Sequence, residues 1–240
     1  MDYMLDNLGM FMNENIFIYL LLIMAIPLGA QMYLSSTYGK YTRTRSSSGQ
    51  TGHDVARQIL DRNGLHNVRI EPTKGKLSDH YDPRSRTVRL SPSIYNGVSV
   101  AAKAVAAHEV GHAVQHAQAY GPLKIRSMMV PVVTMANRFG FILIMIGMFT
   151  AMFVLAEIGL VMIASLFIFQ LVTLPVEFNA SKRAMVLLDE LNIIHDPRER
   201  GGVRKVLNAA ALTYVAAMLV SLLELIRIAA MISNSRGRRA

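Results

Sequence analysis

His108 and His112 stand four residues apart, with Glu109 directly after the first. On a helix that spacing sends both imidazoles from one face a turn apart, the separation needed to hold one Zn²⁺ at about 2.0–2.1 Å from each. The offset of Glu109 swings its carboxylate around the helix, towards the side of the metal where a water would sit, so it can take that water's proton as general base. The bare pattern H-E-x-x-H is a modest signal, because residue frequencies alone produce it in roughly one chain in a hundred of this length. Context adds to it. From Ala104 to Val114 there is no proline and no charge except Glu109, so the segment reads as a largely buried helix. Two histidines and a glutamate are expensive there unless something binds them. A solvated helix carrying three polar residues by chance is the bland alternative.

His116 lies one turn further along the same face. The motif that uses a third histidine, H-E-x-x-H-x-x-G-x-x-H, wants Gly where this chain has Gln115 and His where it has Gln118. His116 therefore reads as a neighbour of the site or a surface residue, not as a ligand.

The elements that must position this helix lie in a chain of two characters. Its 240 residues are 52% hydrophobic and 17% charged, too apolar for an ordinary soluble domain and too charged in the middle for a pure membrane bundle. The net charge of +9 sits in two loops and a tail that flank apolar segments, which is a membrane-topology pattern and excludes nucleic acid as the natural partner. Cysteine is absent, so disulfides and thiolate ligation are excluded.

Residues 1–15 carry Asp2, Asp6 and Glu14 and no Lys or Arg, and Ile16 to Leu34 then runs uncharged through Pro27 and Gly29. The sequence predicts an uncleaved anchor over 16–34 with its N-terminus outside. Lys40, Arg43 and Arg45 follow, placing that side in the cytoplasm. After the Ser46–Gly49 linker a soluble module occupies about 50–125, within a cytoplasmic region of 35–138. A helix runs from Gly52 to Asn63, Val68–Glu71 and Arg86–Leu90 alternate as strands, and a turn-rich stretch lies between them. Ser99 is the N-cap of a metal helix over about 99–118. Arg86–Leu90 is the candidate edge strand to which a peptide would add; a hairpin that only covers the helix is the equal alternative.

Phe139 to Val176 holds thirty-eight residues with one charge, Glu157. A single helix of that length would measure roughly 57 Å, nearly twice the hydrocarbon thickness, so it must fold back. The predicted spans are 139–156 and 158–176, with a tight hairpin at Ala156–Gly159. A second cytoplasmic segment, 177–208, carries Lys182, Arg183, Arg198, Arg200, Arg204 and Lys205. Both basic loops thus meet on one face, where the active site is expected. Segment 209–232 carries a stripe of Thr213, Ala217, Ser221 and Glu224, with Glu224 able to pair with Arg227. It either spans, against the charge of the 233–240 tail, or packs partly submerged on the module; four spans are preferred. Tyr214 near its cytoplasmic end is a candidate oxyanion donor. His80, in the loop before the edge strand, is a second, with a turn histidine satisfied by backbone as its alternative.

A two-histidine zinc site with an open water position needs one more protein ligand. Glu177 follows Pro175 in the first turn of a helix with small Ala180 and Ala184 on nearby turns. A carboxylate there is either that ligand or a helix-dipole stabiliser.

Four blocks carry a resemblance across nearly the whole chain: Ser78–Pro83, Val105–Ala113, Glu177–Ser181 and Leu207–Tyr214. On them the chain resembles the bacterial membrane zinc metallopeptidases of the YugP-like family, related to HtpX-type and prenyl-protein membrane proteases. The likeness implies an α+β zincin-like module of gluzincin type embedded in a mainly α-helical polytopic membrane protein, with one Zn²⁺ per chain held by His108, His112 and Glu177. Ser181 stands where those relatives carry Asp, so the carboxylate that would orient a metal-bound imidazole is either missing or supplied from elsewhere, Asp79 or Asp82 being the candidates.

The function that follows is a membrane zinc endopeptidase with a protein or peptide substrate at the bilayer. Its rivals are a non-catalytic scaffold that keeps the metal for folding and a hydrolase of a non-peptide substrate. A structural site is normally closed by four protein ligands, and only three are found here. The predicted orientation is checked by cysteine labelling in this cysteine-free chain: Ser48→Cys and Arg200→Cys should be protected in intact cells and Asn7→Cys labelled. Labelling of Ser48→Cys from outside would reverse the topology.

Overall fold

The computed structural model describes residues 15–237 and is mainly helical, with one small sheet. Expectations about 1–14 and Asn7, and about the side chains of Arg236, Arg238 and Arg239, fall outside the described residues. In chain order the elements are α1 (Ile16–Thr42), α2 (Gly52–Arg62), β1 (Arg69–Pro72), β2 (His80–Asp82), β3 (Thr87–Leu90), α3 (Pro92–Tyr95), α4 (Val100–Ala117), α5 (Gly121–Thr150), α6 (Phe153–Glu190) and α7 (Pro197–Gly237). Two compact units divide the chain, residues 1–30, 125–174 and 214–240 in one and 31–124 and 175–213 in the other.

The first unit holds most of the apolar sequence. Helices α1, α5, α6 and α7 are each long and apolar enough to cross a membrane. Large apolar side chains stay exposed along all four, among them Phe17, Phe149, Val161 and Leu219, a surface that only lipid or another apolar partner could cover. The return between α5 and α6 falls at Ala151–Met152, with Ala151 at φ 58°, and not at the expected Ala156–Gly159. Those small residues serve packing instead. A Cβ on Gly159 would lie 2.5 Å from the Gly140 carbonyl oxygen and 2.9 Å from the Ile144 amide nitrogen, so α5 and α6 meet backbone to backbone there. On α7, Arg227 lies over the Tyr19 ring at 4.4 Å, a cation–π contact in place of the expected pair with Glu224.

In the second unit, α2 opens on a full capping box: Thr51 Oγ1 accepts from the Asp54 amide at 3.1 Å and Asp54 accepts from the Thr51 amide at 3.0 Å. Its face of Val55, Ala56, Ile59 and Leu60 is buried against α4. The sheet order is β1-β3-β2, with β1 parallel and β2 antiparallel to β3. The strand at 86–90, expected at an edge, is therefore the central one, and its Thr87, Val88 and Leu90 are buried. Alternation identified the strand but carried no information about its neighbours. Both β2 and β3 pack on α4.

The 175–213 segment folds with this unit. Pro175 was expected to end one helix or start another, yet α6 runs through it. An internal proline costs about 3 kcal/mol or more, and the buried row Val176, Ala180, Ala184 and Leu188 supplies packing on the scale needed to offset it. Likewise α5 begins at Gly121, so 121–138 is helical, and its residues from 125 on belong to the first unit.

The close approach at Gly159 gives a stability test in detergent. Gly159→Leu should lower the thermal midpoint through overpacking of about 1–3 kcal/mol, whereas Gly29→Ala, with nothing within 4 Å of its Cβ position, should leave it unchanged or raise it slightly.

Candidate metal centre

Helix α4 is fixed at its start. Ser99 caps it, its Oγ accepting from the Ala102 amide at 3.1 Å. One turn on, Lys103 is fully buried and its Nζ donates to Ser48 Oγ, to the Ile193 carbonyl at 3.2 Å and to Glu199 Oε1 at 3.3 Å. Burial pushes this ammonium down from its usual range against the opposing pull of Glu199. Glu199 also accepts from the hydroxyls of Ser46 and Ser47. The short Ser46–Ser48 linker is thus tied to the helix that carries the chemistry.

Glu177 comes from α6, the helix that packs beside His108 and His112. The approach is set by Gly111, whose added Cβ would lie 2.8 Å from the Ala180 carbonyl oxygen. Any side chain at 111 would push α6 away. With glycine there, His108 Nε2 stands 3.2 Å and His112 Nε2 3.5 Å from the same Glu177 oxygen, Oε2. One donor atom from each of the three residues lies within 4.8 Å of the others. Glu177 is only 2% exposed, and the two imidazoles meet edge to face at 4.8 Å between centroids.

Both rings are held from behind. Gln115 is completely buried, and its Nε2 donates to the Val176 carbonyl at 2.8 Å and to Asn179 Oδ1 at 3.0 Å. Those two acceptors fix the orientation of the amide, so its Oε1 is what faces His112 Nδ1 at 2.9 Å. His112 Nδ1 must then carry the hydrogen, and in the neutral ring Nε2 presents a lone pair to the Glu177 carboxylate. A lone pair facing a carboxylate is repulsive unless a cation stands between them, either a second proton on the ring or a metal. Burial works against charge on His112, but the hydrogen bond and charge of Glu177 outweigh it and hold the ring's pKa above its usual value.

Ser181 Oγ lies 3.1 Å from His108 Nδ1. A hydroxyl takes either role in a hydrogen bond, so it accommodates the tautomer that leaves Nε2 free for a metal. Among the described residues neither Asp79 nor Asp82 hydrogen-bonds an imidazole of the cluster. Asp79 accepts from the Ser91 amide at 2.6 Å and from its hydroxyl at 3.1 Å. Asp82 is taken by Ser85, the Arg84 amide and Arg89. Two neutral partners, Ser181 and Gln115, stand where carboxylates were sought. Gln115 was missed, although its place three residues after His112 put it on the right face.

Glu109 is buried and accepts no hydrogen bond from the described residues. Burial pushes its carboxyl above the usual range, and the neighbouring His108 and His112 pull it back. His116 is outside the three-residue cluster; its Nδ1 is 2.8 Å from the Tyr81 hydroxyl, joining α4 to β2. His80 is exposed on β2 with Nδ1 against the Ser78 carbonyl at 2.8 Å, and Tyr214 belongs to the other compact unit.

Two nitrogens and one carboxylate oxygen in a buried cluster suit a divalent ion of borderline softness such as zinc and leave room for non-protein ligands. Taken with four membrane-length helices, they define a class, a membrane protein with a candidate metal centre built on two crossing helices. The chain belongs to the family described as "Putative neutral zinc metallopeptidase", whose model matches residues 16–233. It is 46% identical over 222 residues to the "Putative membrane protease YugP" of Bacillus subtilis (strain 168), covering 92% of this chain and 98% of that one. No solved structure matches.

The partner of His112 can be tested apart from any reaction. Gln115→Leu removes the group that fixes the ring's tautomer and should weaken zinc binding about 10- to 100-fold in a competition titration, with far-UV circular dichroism unchanged.

Proposed function

We propose that this protein is a membrane zinc endopeptidase of gluzincin type, in which His108, His112 and Glu177 hold the metal and Glu109 is the general base. The observation that carries it is the convergence of two imidazole Nε2 atoms on one buried carboxylate oxygen, beside a second buried carboxylate, Glu109, that accepts no hydrogen bond from the described residues. The zinc ion would supply Lewis acidity, making a water acidic enough to lose its proton near neutral pH and polarising a carbonyl. Glu109 takes the proton from the attacking water and returns it to the departing amide nitrogen. Its raised pKa suits both halves of that exchange.

The helix bearing these residues against a mixed sheet supports a zincin-like module. The strand that would receive an extended peptide is β2, which pairs with β3 on one side only among the described residues and packs on α4. Tyr214 and His80 are the two proposed oxyanion donors; His80 Nδ1 is engaged at the Ser78 carbonyl at 2.8 Å. We assign the module to the cytoplasmic side from the basic residues that follow α1 and α6 in sequence. A scaffold with a structural metal is the rival reading, and the described residues offer three ligand groups where such a site normally has four.

Glu109→Gln should keep about one zinc per chain while casein cleavage falls by orders of magnitude. Equal activity in the two proteins would end the enzyme reading. In the same preparation Glu177→Ala should lose zinc on dialysis against a mild chelator, and His116→Ala should keep it, because two imidazoles alone make a poor site. The reverse pattern would overturn the ligand assignment.

A further inference from the structure

Away from the metal cluster, the second unit contains a cavity of about 660 Å³ lined by Lys40, Tyr41, Thr44, Arg45, Ser46, Ser47, Val100, Asp196, Arg198 and Glu199. Its basic residues converge on one concavity without carboxylate partners. Arg57, Arg89 and Arg200 in the same unit are paired with carboxylates at 2.8–3.2 Å. Among the described residues no carboxylate lies at ion-pair distance from Lys40, Arg45 or Arg198. Asp196, on the wall, accepts from the Arg198 amide through its Oδ1 at 2.7 Å. Glu199, on the wall, is taken up by Lys103 and by the hydroxyls of Ser46 and Ser47.

The walls themselves are rigid. The Ser46 amide donates to the Val98 carbonyl at 2.9 Å and the Val100 amide to the Thr44 carbonyl at 2.9 Å, which fixes the backbone of Arg45 beside the start of α4. Arg198 stands in the first turn of α7. Three exposed cations line one concavity with two acids, of which Glu199 is paired with Lys103 and Asp196 accepts a backbone amide, an excess of positive charge that suits an anion. Guanidinium groups from two separate segments match the oxygens of a phosphate, and the ammonium of Lys40 adds a point charge. In sequence, Lys40 comes six residues after the uncharged stretch that ends at Leu34, a spacing that suits the headgroup layer of a bilayer.

We propose that this cavity binds a phosphate-bearing anion through Lys40, Arg45 and Arg198, the phosphate belonging to an anionic lipid headgroup or to a free phosphate ester. The site is separate from the metal cluster and does not rest on the protein being a peptidase.

The test uses the full chain purified in a neutral detergent, with binding read by native mass spectrometry and by the thermal midpoint. The probes are phosphatidylglycerol, phosphatidylcholine and glycerol phosphate. Wild type should retain phosphatidylglycerol at least tenfold more tightly than phosphatidylcholine. The triple variant Lys40→Gln/Arg45→Gln/Arg198→Gln should lose that preference. Lys182→Gln/Arg204→Gln/Lys205→Gln, which removes as many charges from another basic segment, should keep it. Arg198→Gln alone, an exposed position, should reduce the preference severalfold and serves if the triple variant fails to fold. Binding of glycerol phosphate as tight as the lipid's, lost in the same variant, identifies a free phosphate ester as the source; binding of the lipid only identifies the headgroup. Equal retention of both lipids together with no response to glycerol phosphate, or equal loss in the two triple variants, would overturn the proposal.

Discussion

The candidate site depends on one close approach, that of Gly111 on α4 to the backbone of Ala180 on α6. Without it Glu177 would not stand between His108 and His112. The contact lets a carboxylate be buried almost completely, which is tolerable only when charges or hydrogen bonds compensate it. The compensation comes from two imidazoles whose other nitrogens are engaged by Gln115 and Ser181. Each of these partners is held in turn: Gln115 by Val176 and Asn179, Ser181 by its place one turn beyond Glu177 on α6. A glycine, an amide and a hydroxyl therefore do as much to define the site as the three ligand candidates.

The neutral partners bear on reactivity. A carboxylate behind a metal-bound imidazole raises its basicity and adds negative charge near the ion. A serine and a glutamine orient the ring without adding that charge. An ion held by these residues would keep more of its own positive charge, near Glu109, which is buried and accepts no hydrogen bond from the described residues. The family shown by the 16–233 match is consistent with such a centre.

How much was legible in the sequence varies by element and for physical reasons. The helix at 100–117 was readable from the i, i+4 spacing of His108 and His112 within an unbroken apolar run, and two strands of the small sheet, β1 and β3, from their alternating residues; β2 (His80–Asp82) lies in a stretch that reads as turn-rich. The central position of β3 was not, because alternation reports a strand's two faces and is silent about its edges. The return at Ala151–Met152 was misplaced because Ala156 and Gly159 are small for the sake of helix contact, and small residues read the same way in a turn. Glu177 was ambiguous alone; its meeting with the histidines depends on Gly111 and Ala180, which lie far apart in sequence. Gln115 was passed over because it was judged only as a misfit to another motif, although its spacing from His112 was in plain view.

The central claim is that two imidazoles and one carboxylate, from His108, His112 and Glu177, make the protein's zinc site. X-ray absorption at the zinc edge on purified, zinc-loaded protein tests it most directly. The account predicts a shell of light N and O donors at about 2.0–2.1 Å, with outer-shell scattering from two imidazole rings that drops to one in His112→Ala. A shell with three or more imidazoles, or a spectrum unchanged by His112→Ala, would contradict it.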